Sequence, residues 1–165
     1  MSMTPEEIAN GLKERFGEKI LETVLDTHDP YCLVEPQALA DVALFCRDEL
    51  GFNYLRCLSG VDYMDKKKTT DDLGVVYHLG AIPDASHLFC LKVRLSRENP
   101  VVPTVARIWP TADWHEREAW DLVGIVFEGH PNLTRILCAE DWEGHALRKD
   151  YTSPDTYHGI KNNVV

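Results

Sequence analysis

The chain has 165 residues, 44% of them hydrophobic and 27% charged, with a formal net charge of −10 and a pI of about 5.1. That length fits one domain and suffices for a core without disulfides or a structural metal. The acidity repels phosphate backbones and sets nucleic-acid binding aside; it favours solubility and basic protein partners.

Residues 4–16 read as a helix. Thr4 is its N-cap, Pro5 its first residue and Glu7 the far side of a capping box. Met3 and Ile8 sit where a hydrophobic staple forms, Ile8, Leu12 and Phe16 recur at helical spacing, and Gly17 ends the run. Residues 19–27 and 30–34 read as short strands around the Asp29-Pro30 turn. A second amphipathic helix spans 36–50, opened by Pro36, lined by Leu39, Val42, Ala43, Cys46 and Leu50, and closed by Gly51. Strand-like runs follow at 52–63, 73–82 and 87–95. In the last, Phe89, Leu91, Val93 and Leu95 alternate with Cys90, Lys92 and Arg94, the pattern of one buried and one wet face. The KKKTTDD run at 66–72 reads as a solvated hairpin loop. Pro100 and Pro103 mark a joint, residues 104–109 a short apolar connector, and 111–122 a third helix with Asp113 as N-cap and Glu116 three residues on. Beyond Gly124 the pattern turns irregular, and 151–165 reads as a tail.

This order of elements predicts an α+β fold: a mostly antiparallel sheet with helices packed on one face, followed by an irregular C-terminal docking extension. The expected division is a core domain over 1–110 and, over 111–165, a signature helix with two Gly-His corners and a partner-docking tail.

The five cysteines, Cys32, Cys46, Cys57, Cys90 and Cys138, are far apart and form no C-x-x-C pair. Iron–sulfur and zinc sites need clustered thiolates, so no metal is expected, and free buried thiols in a reducing compartment are the simple reading. No basic start leads into an apolar run, and no stretch approaches the roughly 20 apolar residues of a membrane span. The expectation is a chain without signal peptide or direct membrane insertion, cytoplasmic unless a partner holds it elsewhere. No phosphate loop or nucleophile elbow is present, so no cofactor is expected.

The densest stretch is 113–151. His115-Glu116 fails as a helical zinc motif because Ala119 stands where the second histidine belongs. Glu116, Glu118 and Asp121 admit three readings: an acid/base group, a salt-bridged helix face with Arg117 paired to Asp121 four residues on, or an ion-pair network facing a partner. Trp114, Trp120 and Trp142 favour the partner, since tryptophan among charges is typical of interface anchors. Gly129-His130-Pro131 and Gly144-His145-Ala146 are tight corners whose histidines either bond backbone or act as ligands and proton relays. Arg148 and Lys149 beside Asp150 suit a carboxylate-lined groove. His28, His78, His87 and His158 are scattered and suggest nothing sharp. A stand-alone enzyme using Glu118, Asp121 and His130 or His145 is the rival to a docking role.

These residues resemble the C subunit of proton-pumping NADH:quinone oxidoreductase, respiratory complex I, the 30 kDa subunit family. The resemblance is carried by Glu116-Arg117-Glu118, Asp121, Gly124-Ile125, Gly129-His130-Pro131, Arg135-Ile136-Leu137, Asp141-Trp142, Gly144-His145 and Leu147 through Tyr151. Thr134, Ala146 and Val123 depart from the usual basic residue or proline, proline and aromatic residue of that pattern. The resemblance implies an accessory, scaffold subunit of the peripheral arm, on the cytoplasmic side of the cell inner membrane. It implies a place beside the large quinone-cavity subunit and the small iron–sulfur subunit, with no redox centre of its own. Equivalent subunits of membrane-bound hydrogenases or F420-type dehydrogenases are the alternative it leaves. The residues expected to dock partners are Trp114, Glu116, Arg117, Glu118, Asp121, Gly129, His130, Pro131, Arg135, Asp141, Trp142, Gly144, His145, Arg148, Lys149, Asp150 and Tyr151.

Overall fold

The computed structural model describes residues 3–65, 69–84 and 86–162. Helix α1 (Pro5–Phe16) begins with the expected capping box: the Thr4 hydroxyl accepts from Glu7 N–H, and the Glu7 carboxylate accepts from Thr4 N–H. Ile8 and Leu12 are fully buried beneath it. Strands β1 (Ile20–Val24) and β2 (Tyr31–Val34) form the antiparallel pair expected around Asp29-Pro30. The second helix opens as a short 3-10 turn (Pro36–Ala38) before α2 (Leu39–Asp48). Strands β3 (Tyr54–Asp62), β4 (Asp72–Gly80) and β5 (Leu88–Ser96) complete a five-stranded sheet of order β1-β2-β5-β4-β3. Every neighbouring pair is antiparallel except β2 with β5, which is parallel. Of the charge run at 66–72, residues 66–68 lie outside the described residues, and Asp72 already belongs to β4.

The sheet alternates as strands must. Leu73, Val75, Tyr77 and Leu79 of β4 and Phe89, Leu91, Val93 and Leu95 of β5 are buried, and they join one core with the inner residues of α1 and α2. Helix α3 (Ala112–Val123) adds Ala112, Ala119 and Val123 to that core. It lies close on β3 because Gly60 lacks a side chain: a Cβ there would sit 3.2 Å from both Ala119 and Val123.

Three local expectations are corrected. Thr111, not Asp113, holds the N-cap position of α3, and it makes no side-chain cap bond; Asp113 sits in the first turn. The stretch after Gly124 is not wholly irregular. Strand β7 (Val126–Glu128) pairs in parallel with β6 (Val101–Pro103), so α3 is the crossover of a small β-α-β unit. Within the expected tail, β8 (Thr156–Tyr157) and β9 (Ile160–Lys161) form a hairpin, its turn made by His158 and Gly159 at positive φ. No helix among the described residues is long and apolar enough to cross a membrane.

Candidate functional site: a helix wrapped by the C-terminal third

Two carboxylates on α3 are wholly buried, Glu116 and Asp121. They meet opposite fates. Glu116 points toward the connector after β6. Its carboxylate accepts from the Thr104 hydroxyl, and from Val105 N–H at 2.7 Å. Burial pushes its pKa up to about 7; the two donors pull against that, and the Asp113 charge adds to it. Glu116 in turn adds to the burial that holds the Tyr77 phenol well above its usual range.

Asp121 has the fuller shell. One oxygen takes Arg135 Nη1 at 2.6 Å, and the other takes the N–H groups of Ile136, Leu137 and Cys138 at 3.1, 2.9 and 2.8 Å. Burial alone would raise its pKa, but three backbone donors and the guanidinium overcome that and hold it at about 2. Successive N–H groups around one oxygen make an anion nest, here filled by the chain's own carboxylate.

Arg117 does not pair with Asp121. Its guanidinium donates to the carbonyls of Thr134 and Arg135, both at 3.1 Å, beside the Trp114 ring. The surface assignment of Glu116 and Asp121 is therefore corrected: both are internal struts. The physical reason is position. Ala112, Glu116, Ala119 and Val123 fall on the helical stripe that faces the sheet, and Asp121 is covered by the 135–138 turn.

The two Gly-His corners hold opposite ends of α3. Asn132 N–H donates to His130 Nδ1 at 3.0 Å, which leaves the ring proton on Nε2, 3.2 Å from the Asp113 carbonyl. At the other end the last carbonyls of the helix are capped in sequence. His145 Nδ1 donates to Asp121 O at 3.1 Å, Leu147 N–H to Leu122 O at 2.9 Å, and Arg148 Nε to Val123 O at 2.6 Å. Free C-terminal carbonyls require such partners. Gly124 has φ 80°, and a Cβ on it would lie 2.5 Å from the His145 ring and 2.6 Å from Arg148, so only glycine admits this cap.

Beyond the cap, Lys149 N–H donates to Asp62 Oδ2 at 2.8 Å and Lys149 Nζ to Met64 O at 2.7 Å. Arg97 joins Asp62 and Asp71, and reaches Asp150 at 3.2 Å. This anchors the segment to the end of β3. Arg135 Nη2 also donates to Trp142 O at 2.7 Å. Tyr151 stacks on Trp142 across Gly144, where a Cβ would be 2.9 Å from the tyrosine ring. Asp141 accepts from Tyr157 Oη and His158 Nε2 of the terminal hairpin at 2.9 and 2.7 Å.

The structure thus brings most of the expected residues into one intrachain network. It leaves Trp114, Glu118, Gly129, Pro131, Asp141, Gly144, Lys149 and Asp150 at the surface. Of the ten large apolar side chains exposed among the described residues, half follow residue 112: Trp114, Val126, Leu137, Leu147 and Ile160. The rival set of Glu118, Asp121 and a histidine does not gather at one point: Glu118 is exposed, the Asp121 carboxylate is filled by four donors, and His130 and His145 serve opposite ends of the helix. Buried Glu116 of α3 lies 3.8 Å from His130 Nε2. Sequence reasoning missed Thr104, Asp62 and Arg97. They lie in a connector and at strand ends, where no period marks them.

The sequence profile described as "Respiratory-chain NADH dehydrogenase, 30 Kd subunit" matches residues 32–157. The chain belongs to this family. Similar proteins include the C subunit of the NADH-quinone oxidoreductase of Chloroherpeton thalassium, 48% identical over 91% of this chain and 62% of that one. Its counterpart from Chlorobium phaeobacteroides is 46% identical over 91% of this chain and 90% of that one. The chain therefore spans under two thirds of the first relative and nearly all of the second. Among solved structures, a trypsin-resistant fragment of Nqo5 superposes with a TM-score of 0.66 at 27% identity, over 79% of this chain and all of that one. A chain of the membrane-bound sulfane sulfur reductase, an archaeal respiratory membrane complex, superposes with a TM-score of 0.72 at 24% identity, over 91% of this chain and 86% of that one. That likeness is one of fold. The matched range includes all of α3 and the segment through residue 151 that wraps it.

Proposed function

We propose that the chain is the C subunit of an NADH:quinone oxidoreductase, an accessory scaffold of the peripheral arm that supports electron transfer from NADH to quinone without a redox centre of its own. One observation carries the reading: relatives named as this subunit match 91% of the chain, and the family profile spans the whole wrapped helix. The division of labour follows from the site. The wrap fixes the 129–151 segment on α3 by internal hydrogen bonds, and that rigid segment offers its exposed side chains to neighbours. Trp114 and Leu137 are each 63% exposed and are the apolar anchors of this surface. Glu118, Asp141, Lys149 and Asp150 form its polar rim. The partners are the large quinone-cavity subunit and the small iron–sulfur subunit, on the cytoplasmic side of the inner membrane.

An affinity-tagged chain expressed in its host tests this. It should co-purify from membranes with those two subunits, and deleting its gene should abolish NADH:quinone reductase activity. A deletion strain with full activity, or a tagged chain recovered alone, defeats the reading.

A further inference from the structure

On the face of the sheet opposite the wrapped helix, two strands and a turn bring three potential ligands together. His78 of β4 lies directly across from Cys90 of β5. Cys90 N–H donates to Pro30 O at 2.9 Å, which draws the β1–β2 turn, and Asp29 with it, to the same place. A ring nitrogen of His78, Sγ of Cys90 and a carboxylate oxygen of Asp29 lie within 4.8 Å of one another. They line a cleft of about 40 Å³ that His28 and Arg56 also border. That is room for one ion and a water. Nδ1 of His78 is buried and has no hydrogen-bond partner. Buried ring nitrogens are nearly always satisfied, so an open one on a ring that also borders a thiol and a carboxylate requires an account.

We propose that Asp29, His78 and Cys90 form a binding site for a borderline-soft divalent cation of the zinc type, with His28 or water as the fourth ligand. The donor set selects the class. Nitrogen, sulfur and one oxygen suit Zn²⁺, whereas Mg²⁺ and Ca²⁺ want oxygens alone. Tetrahedral bonds of roughly 2.0–2.3 Å set ligand atoms about 3.3–3.8 Å apart, so no pair need close by more than about 1.5 Å on binding. Asp29 lies in an exposed turn and supplies that movement. Arg56 opposes a cation, but it is exposed and screened, while the thiolate and carboxylate act at bonding distance. Binding displaces the thiol proton to solvent. The ion staples the β1–β2 turn to β4 and β5, well away from the proposed docking surface and independent of it.

The test uses the full chain, stripped with a chelator and titrated with Co²⁺, then Zn²⁺. The expected result is one Co²⁺ per chain with a near-ultraviolet thiolate-to-cobalt band, erased by Zn²⁺. Cys90→Ser should abolish the band. Because Cys90 is buried, that variant can unfold, so Asp29→Asn on the exposed turn is the second arm. It should keep the wild-type circular dichroism and bind Co²⁺ at least tenfold more weakly. Absence of the thiolate band in the wild-type chain, its persistence in Cys90→Ser, or wild-type affinity in Asp29→Asn overturns the site.

Discussion

The sheet with α1 and α2 and the wrapped helix α3 are held by different forces. The first is mainly a layer of Leu, Val, Ile and Phe side chains, with the Tyr77 hydroxyl and the Trp109 indole N–H among its few polar atoms. The second is held largely by side chains bonded to backbone: Asp121 on three N–H groups, and Arg117, Arg135, His145 and Arg148 on carbonyls. Apolar burial is tolerant of shape and insensitive to pH. A polar wrap has one geometry, and it fails when a single partner is removed. A core accepts many apolar sequences, whereas each bond of the wrap needs one side chain at one offset.

The sharpest way to break the contrast is Asp121→Ala. It strands a guanidinium and three N–H groups, and should cost about 3–5 kcal/mol. Amide exchange should rise through 129–150 while β4 and β5 stay protected. Equal deprotection of both regions would show that they open as one unit. The same carboxylate predicts an acid limit. Its pKa falls from 3.8 unfolded to about 2 folded, so its stabilisation of roughly 2 kcal/mol is complete above about pH 4 and is lost as pH falls through 2.

Leu91→Ala is the counterpart in the apolar layer. Leu91 is fully buried in β5, and its truncation should cost about 2–5 kcal/mol through transfer and cavity. Denaturant unfolding should lose stability equally across pH 5–8, and exchange should rise in both regions.

Glu116 refines the comparison with a slope of the other sign. Its folded pKa is raised from 4.5 to about 7, so the unfolded chain ionises first and the fold loses stability as pH rises between those values. At most about 3 kcal/mol is involved. Glu116→Gln should flatten that slope while keeping an acceptor for Val105 N–H; a slope unchanged in the variant would assign it to another group.

The smallest effect on stability belongs to the surface. Trp114→Ala should change unfolding by under about 0.5 kcal/mol, because the ring is 63% exposed. It should still reduce the yield of assembled complex severalfold on native gels. Normal assembly would remove Trp114 from the docking surface.

Much of the sheet half was legible in the sequence because its signals are local. Thr4, Pro5 and Glu7 cap α1 as read, and the alternation from Phe89 to Leu95 gives β5 within a residue. The parallel pairing of β6 with β7 escaped because each strand has three residues, too few for a period. The candidate site was legible as a motif and illegible as geometry. Nothing in Glu116-Arg117-Glu118 separates a charge facing inward from one facing out until the sheet fixes the helix's orientation. Asp29, His78 and Cys90 are scattered along the chain, so only the strand register can bring them together.

The β-α-β unit around α3 also dictates an order of events during synthesis. In the growing chain β6, α3 and β7 are made before residues 135–148, so the helix and its strand pairing can be complete while the wrap is still to come. At that moment Asp121 and the last helical carbonyls still lack the partners at 135–148 that will cover them. The nascent chain passes through a stage in which a half-finished helix end waits, hydrated, for the segment that closes over it.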